Sequence, residues 1–259
     1  MNRTLWIAAS GMEAQQTRVD TIANNMANVS TTAYKKGIAQ FQDMLYETLA
    51  RPGSQSSTSD LPAGIQMGTG VMTATVSKFF GQGSLTSSSS DLDLAIEGEG
   101  FFQVQMTDGT STYTRAGNLH MDSQGKVVTG EGYTIVGFPT LNAKATNVTI
   151  TTDGTVSYTY DGATTEAGRI QLVRFPNPEG LAYEGYNLYS VTDGSGSAET
   201  GYPGASSFGY IAQHYLENSN VEIVKEMVDM IAAQRAYELN SKSVKTAEEM
   251  LRTVVNLKA

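Results

Sequence analysis

Apolar residues return every seven positions at the start of the chain. From Leu5 the step passes through Met12, Val19 and Met26, and a second track three places on runs through Ala8, Gln15, Ile22 and Val29. That spacing predicts an amphipathic helix with a coiled-coil-like seam. Asn2 is placed as its N-cap and Ser30-Thr31-Thr32 as its stop. The far end repeats the pattern: Ile223, Met230, Tyr237, Val244 and Leu251 stand at intervals of seven, with Met227, Ala233 and Ala247 between them. Ser219 precedes Glu222 by three residues, the spacing of a capping box. The predicted helix is roughly 55 Å long at 1.5 Å per residue. Val221, Val224, Val228 and Ile231 widen its apolar surface beyond one seam, so two helices paired alone would leave a stripe in water. Periodicity leaves two arrangements open: a hairpin packed on the middle of the same chain, or a helix pair that packs against the same pair in other copies.

Between the ends the period shortens to two. Residues 51–90 are rich in Ser, Gly and Thr, carry Pro52 and Pro62, and read as an extended segment. From Leu92 short alternating runs are separated by turns, with Asp-Gly pairs at 108–109, 153–154, 161–162 and 193–194. The expected fold is therefore α+β, with long N- and C-terminal α-helices paired in a coiled-coil-like core and a central antiparallel β domain. The expected divisions are an N-terminal helix in 1–36, an extended arm in 37–90, a β-rich domain in 91–214 and a C-terminal helix in 215–259.

Composition narrows the function. The chain has 259 residues and no cysteine, which excludes disulfides, thiolate metal sites and a cysteine nucleophile. The net charge of −9 argues against a nucleic-acid partner. Its distribution says more: residues 1–50 sum to 0, residues 215–259 to −1, and the middle to −8. Near-neutral ends can gather with copies of themselves while an acidic middle stays solvated. No run approaches the roughly 18 to 20 apolar residues of a membrane-spanning helix, so no direct membrane insertion is expected. Arg3 is followed by only a short apolar stretch before GMEAQQ, a poor fit to a cleavable signal, so export would take another route.

Little in the sequence carries chemistry. The acidic run DLDLAIEGEG groups Asp91, Asp93, Glu97 and Glu99, as glycosidase and calcium sites do, but alternation in a strand makes it a solvent face. His120 and His214 stand alone, without metal-ligand spacing. No nucleophile elbow or phosphate loop is present, since GEG at 98–100 and GTG at 68–70 are too short. The expectation is a chain that is not an enzyme, with no cofactor and no metal.

The stretch IANNMANVSTTAYKK, Ile22–Lys36, sets three asparagines among apolar residues. The longer LWIAASGMEAQQTRVDTIANNMANVSTTAYKK resembles the signature of the bacterial flagellar rod and hook family of axial proteins. DLDLAIEGEGFFQV with YTRAGNLHMDSQGKVVTGEGYTIVG resembles that family's β-domain motif, and NVEIVKEMVDMIAAQRAYELNSKSVKTAEEML its closing helix. YETLARPGSQSSTSDLPAGIQMGTGV resembles a segment typical of the distal rod and absent from the hook protein. A proximal rod or hook-type subunit is the alternative, and a secreted β-rich glycan-binding or glycan-cleaving protein a remote one.

The resemblance implies a homo-oligomer: a rigid hollow tube whose inner wall is made of the terminal helices of many copies, with the β domains outside. It would transmit torque and pass exported subunits. The implied interface comprises Leu5, Met12, Val19, Ile22, Met26 and Val29 at one end and Ile223, Met230, Tyr237, Val244 and Leu251 at the other. Asn24, Asn25 and Asn28 would pair across subunits, since amides donate and accept without the desolvation penalty of charges. The other reading is that they cap the helix end locally. The segment 46–71, with Pro52, Leu61, Pro62 and Ile65, would be an arm tying neighbouring subunits together. Implied partners are proximal rod subunits, hook-side axial proteins and envelope ring proteins. The implied location is the basal body in the periplasm, reached by flagellum-specific type III export across the inner membrane.

Overall fold

In the computed structural model, which describes residues 3–50, 55–56, 59–60, 64–205 and 207–257, a helix stands at each end of the chain and strands fill the space between. The fold is α+β. Helix α1 spans Arg3–Ala27 and helix α2 spans Ile223–Leu257. Asn2, Pro52, Leu61 and Pro62 lie outside the described residues. Two compact units form, one from 1–27, 37–77 and 222–259, the other from 28–36 and 78–221. These divisions differ from those expected at 36, 90 and 214.

In the first unit α1 and α2 lie against each other. Helix α1 stops at Ala27, ahead of the Ser-Thr-Thr run, where asparagines and β-branched residues follow one another and each favours a non-helical backbone. The capping box expected before α2 is not formed: Ser219 lies four residues ahead of the helix and its hydroxyl accepts from the Val221 amide, two residues on, at 3.4 Å. The segment after α1 is more than an extended linker, because Gly37–Asp43 pairs with Val71–Lys78 and Glu47–Ala50 pairs antiparallel with Ile65–Met67.

The second unit is antiparallel β. Its largest sheet has seven strands, in the order 120–121, 127–128, 134–136, 102–105, 111–114, 188–190 and 182–185. The adjacent residues Phe101 and Phe102 show how one strand serves two cores, since neighbouring side chains point to opposite faces. Phe102 joins Leu94, Ile96, Leu119, Ile135 and Leu172. Phe101 joins an aromatic cluster of Tyr113, Phe175 and Tyr189, with edge-on ring pairs such as Phe101–Phe175 at 5.8 Å. Of the Asp-Gly turns, Gly109, Gly154 and Gly162 adopt positive φ, as tight hairpins require. At the fourth the positive φ falls instead on Gly196.

Candidate assembly surface

The contact between α1 and α2 is made by small and polar side chains. Gly11 faces Asn240 so closely that a Cβ on Gly11 would come within 2.8 Å of the Asn240 amide nitrogen. Arg18 reaches Asp229 at 3.3 Å. Asn25 donates to Glu226 Oε2 at 3.2 Å. As residue numbers rise along α1 their partners fall along α2, so the helices run antiparallel. Ala233 and Ala247 of α2 and Ala8 and Ala14 of α1 are buried. At 35 residues against 25, α2 outruns α1 by about 15 Å.

This leaves several large apolar side chains of both helices exposed. Val224 is 77% exposed, Leu239 65%, Val228 62%, Ile231 58% and Trp6 57%. Of the residues expected at an interface, Ile223, Tyr237 and Leu251 are exposed, Leu5, Met12, Val19, Met26, Met230 and Val244 are half-buried, and Ile22 is buried. Asn24 is exposed, while Asn28 and Val29 are half-buried in the turn after α1. Ile65 of the arm is exposed.

Asn25 departs from the expectation of a cross-subunit amide. It is buried, and its Nδ2 donates to the Gly37 carbonyl at 2.9 Å while its Oδ1 accepts from the Gly37 amide at 2.8 Å. The amide thus replaces a backbone partner for Gly37 and fastens the following strand to α1. Within one copy both hydrogen-bonding sides of this amide are taken.

Sequence reasoning overlooked an ionic cluster in the second unit. Glu217 accepts from Lys35 Nζ at 2.5 Å, from Arg115 Nε at 3.1 Å and from the Gly83 amide at 2.9 Å. All three charged residues are buried. Lys35 also donates to Gly81 O, and Arg115 to the carbonyls of Ile96 and Gly98. Burial and the neighbouring Arg115 push the Lys35 ammonium down to about 8. Burial alone would raise the Glu217 carboxyl, but Arg115 and Lys35 outweigh it and hold it below the ordinary range. Beside the cluster the Ala33 amide donates to the Glu217 carbonyl at 2.7 Å. The available signal was a charged residue set among apolar or small ones in AYKK, YTRAG and YLENS.

The acidic run is not a site. Asp93 leaves the expected solvent face: it is buried and accepts from the Ser88 hydroxyl at 2.5 Å, while Glu99 pairs with Arg174 at 3.4 Å. His214 Nδ1 lies 3.1 Å from the Ser90 carbonyl and His120 is exposed. Among the described residues no group of His, Asp and Glu could hold a metal, and no helix is long and apolar enough to cross a membrane.

Paired terminal helices with a row of exposed apolar side chains on α2, and a β unit with its own closed cores, are the features of a structural subunit. Three family descriptions match the chain in order: "Flagella basal body rod protein" over residues 5–35, "Flagellar hook protein FlgE/F/G D1 domain" over 95–158 and "Flagellar basal body rod FlgEFG protein C-terminal" over 212–257. The flagellar basal-body rod protein FlgG of Borreliella burgdorferi is 45% identical over 100% of this chain and 99% of its own. That of Caulobacter vibrioides is 43% identical over 99% and 100%, and that of Bacillus subtilis 38% over the whole of both. A Helicobacter pylori flagellar hook protein, FlgE2, matches 71% of this chain and 43% of its own at 16% identity with a TM-score of 0.24, too low to bear on the fold. The chain belongs to the flagellar basal-body rod protein family, as a non-enzymatic structural subunit of the rod.

Proposed function

We propose that copies of this chain assemble through their terminal helices into the distal part of the rod, a hollow shaft that transmits torque and passes exported subunits. The observation that carries this reading is the exposed apolar row on α2: Val224, Met227, Val228 and Ile231 are each at least half exposed. Four such side chains within eight residues would forfeit several kcal/mol of burial if left in water, at about 1.5–3 kcal/mol each. Surfaces of this kind mark protein contacts.

In this reading α1 and α2 pair in a coiled-coil-like core, and the helices of neighbouring copies cover the row. Leu5, Met12, Val19, Met26, Met230, Tyr237, Val244 and Leu251 extend the contact, with Asn24 and Asn28 at its edge. The β unit faces outward. The arm at 46–71 reaches a neighbouring subunit; exposed Leu45, Leu49 and Ile65 around the paired strands 47–50 and 65–67 support this, since they are apolar and unburied in one copy. Proximal rod and hook-side subunits adjoin the two ends of the shaft, with ring proteins of the envelope around it. The subunits reach the periplasm by type III export.

Electron microscopy of the concentrated protein tests this. Wild-type chains are expected to form straight tubes, and a Val224→Glu, Val228→Glu, Ile231→Glu variant to stay monomeric with unchanged helicity. Tubes of normal yield from the variant would overturn the role given to α2.

A further inference from the structure

A pocket of about 210 Å³ opens in the second unit, lined only by residues of that unit. Its wall is mostly hydroxyls, amides and one carboxylate, with Ala116 and Leu188 as its aliphatic members. Thr114 and Thr129 are buried, at 1% and 8% exposure. Their hydroxyls accept from the amides of Ala116 and Tyr133, at 3.0 and 3.3 Å, and among the described hydrogen bonds neither donates. Each hydroxyl therefore keeps its hydrogen for an acceptor that is not a described residue, and both lie in the lining of the pocket, where a bound molecule can supply one. The side chains of Asn118 and Glu131 line the same space and make no hydrogen bond among the described residues.

Over the rim stands Tyr186, 76% exposed. It sits in a turn where Gly185, Tyr186 and Asn187 all have positive φ, at +87°, +52° and +58°. Glycine and asparagine take that backbone readily, whereas an aromatic residue does so against its preference. The two-residue turn between strands 182–185 and 188–190 requires positive φ at both Tyr186 and Asn187, but glycine or asparagine would meet that requirement with less strain than an exposed aromatic ring in the pocket lining.

The chemistry of the wall selects the ligand. An anion would meet Glu131 with no lysine or arginine in the lining, and an apolar group would leave the threonine donors unmet. A ligand rich in hydroxyls satisfies both, because each hydroxyl accepts from threonine or asparagine and donates to the carboxylate. We propose that this pocket binds a neutral pyranose sugar. Tyr186 stacks on the face of the sugar ring, and Thr114, Thr129, Asn118 and Glu131 hydrogen-bond its hydroxyls. This is a binding activity separate from assembly and does not depend on the reading given to the helices.

The test is saturation-transfer NMR on the full-length protein with cellotriose and chitotriose at millimolar concentration. Transfer to the ring protons of at least one sugar is expected. Tyr186→Gly is the informative variant, since glycine suits the positive φ and should leave the melting temperature unchanged or higher. It is expected to weaken binding about tenfold or more, equivalent to about 1.4 kcal/mol. Thr129→Val, which removes one donor at nearly constant shape, should weaken it as well. No transfer to either sugar, or equal transfer in wild type and Tyr186→Gly, would overturn the proposal.

Discussion

Asn25 holds the carbonyl and the amide of Gly37 with one side chain, and the two hydrogen bonds are sheltered from water. Replacing it by leucine leaves both backbone groups unmet, and we expect Asn25→Leu to destabilise the helical unit by about 2–4 kcal/mol in urea denaturation. A variant that folds normally and fails only in assembly would return this residue to the subunit interface. At Glu217 one carboxylate separates two cations, so Glu217→Gln should be more severe, roughly 3–5 kcal/mol, because Lys35 and Arg115 would be left buried with reduced compensation. Lys35→Met should be far milder, since the pair of Arg115 and Glu217 survives. It also carries a pH signature. The unfolded chain keeps the Lys35 proton up to about 10.5, the folded chain only to about 8. Between those values the unfolded state binds more protons, so stability rises with pH on this group's account, and below pH 8 the penalty of the buried charge is fully present. Lys78, also pushed down to about 8 by burial, acts with the same sign. The difference between wild type and Lys35→Met should therefore grow by a positive slope from pH 8 to 10.5, and a flat difference would place Lys35 in a less buried setting. None of these roles is legible in sequence spacing. Asn25 and Gly37 are close enough to suspect, but Lys35, Arg115 and Glu217 come from three distant segments that only tertiary structure brings together.

At the scale of elements, seven-residue periodicity located both helices, and the Asp-Gly pairs located three tight hairpins, because each signal is local. What periodicity did not disclose is which face the helices turn toward each other. Of the expected pattern, the small members Ala8, Ala233 and Ala247 and Ile22 are buried, the large Leu5, Met12, Val19, Met26, Met230 and Val244 are only half-buried, and Ile223, Tyr237 and Leu251 stay exposed. A heptad pattern records that a face is to be buried, not by whom. Ala233 is fully buried between the helices, and Ala233→Leu should overpack that contact and lower stability by about 1–3 kcal/mol, measured by thermal unfolding followed by circular dichroism. The arm region was legible only as a departure from helix; that its flanks form the ribbons 37–43 with 71–78 and 47–50 with 65–67 depends on pairing across more than a dozen residues, which alternation in so polar a stretch does not specify.

For the whole molecule, the charge layout of near-neutral ends and an acidic middle is compatible with gathering of the ends and solvation of the middle, and it is legible only in the sequence as a whole. If the rod reading holds, removal of residues 46–71 should leave tubes that curve or bend more easily under the electron microscope, and tubes as straight as wild type would deny the arm its stiffening part. The hydrogen bond from Ala33 to Glu217 has a consequence for modularity. The β unit is built from two separate passes of the chain, 28–36 and 78–221, and this bond ties the short first pass to the end of the long second one. A foreign cassette spliced in place of 78–221 alone would therefore leave 28–36 without its partner, so the β unit can be exchanged only if both passes are replaced together.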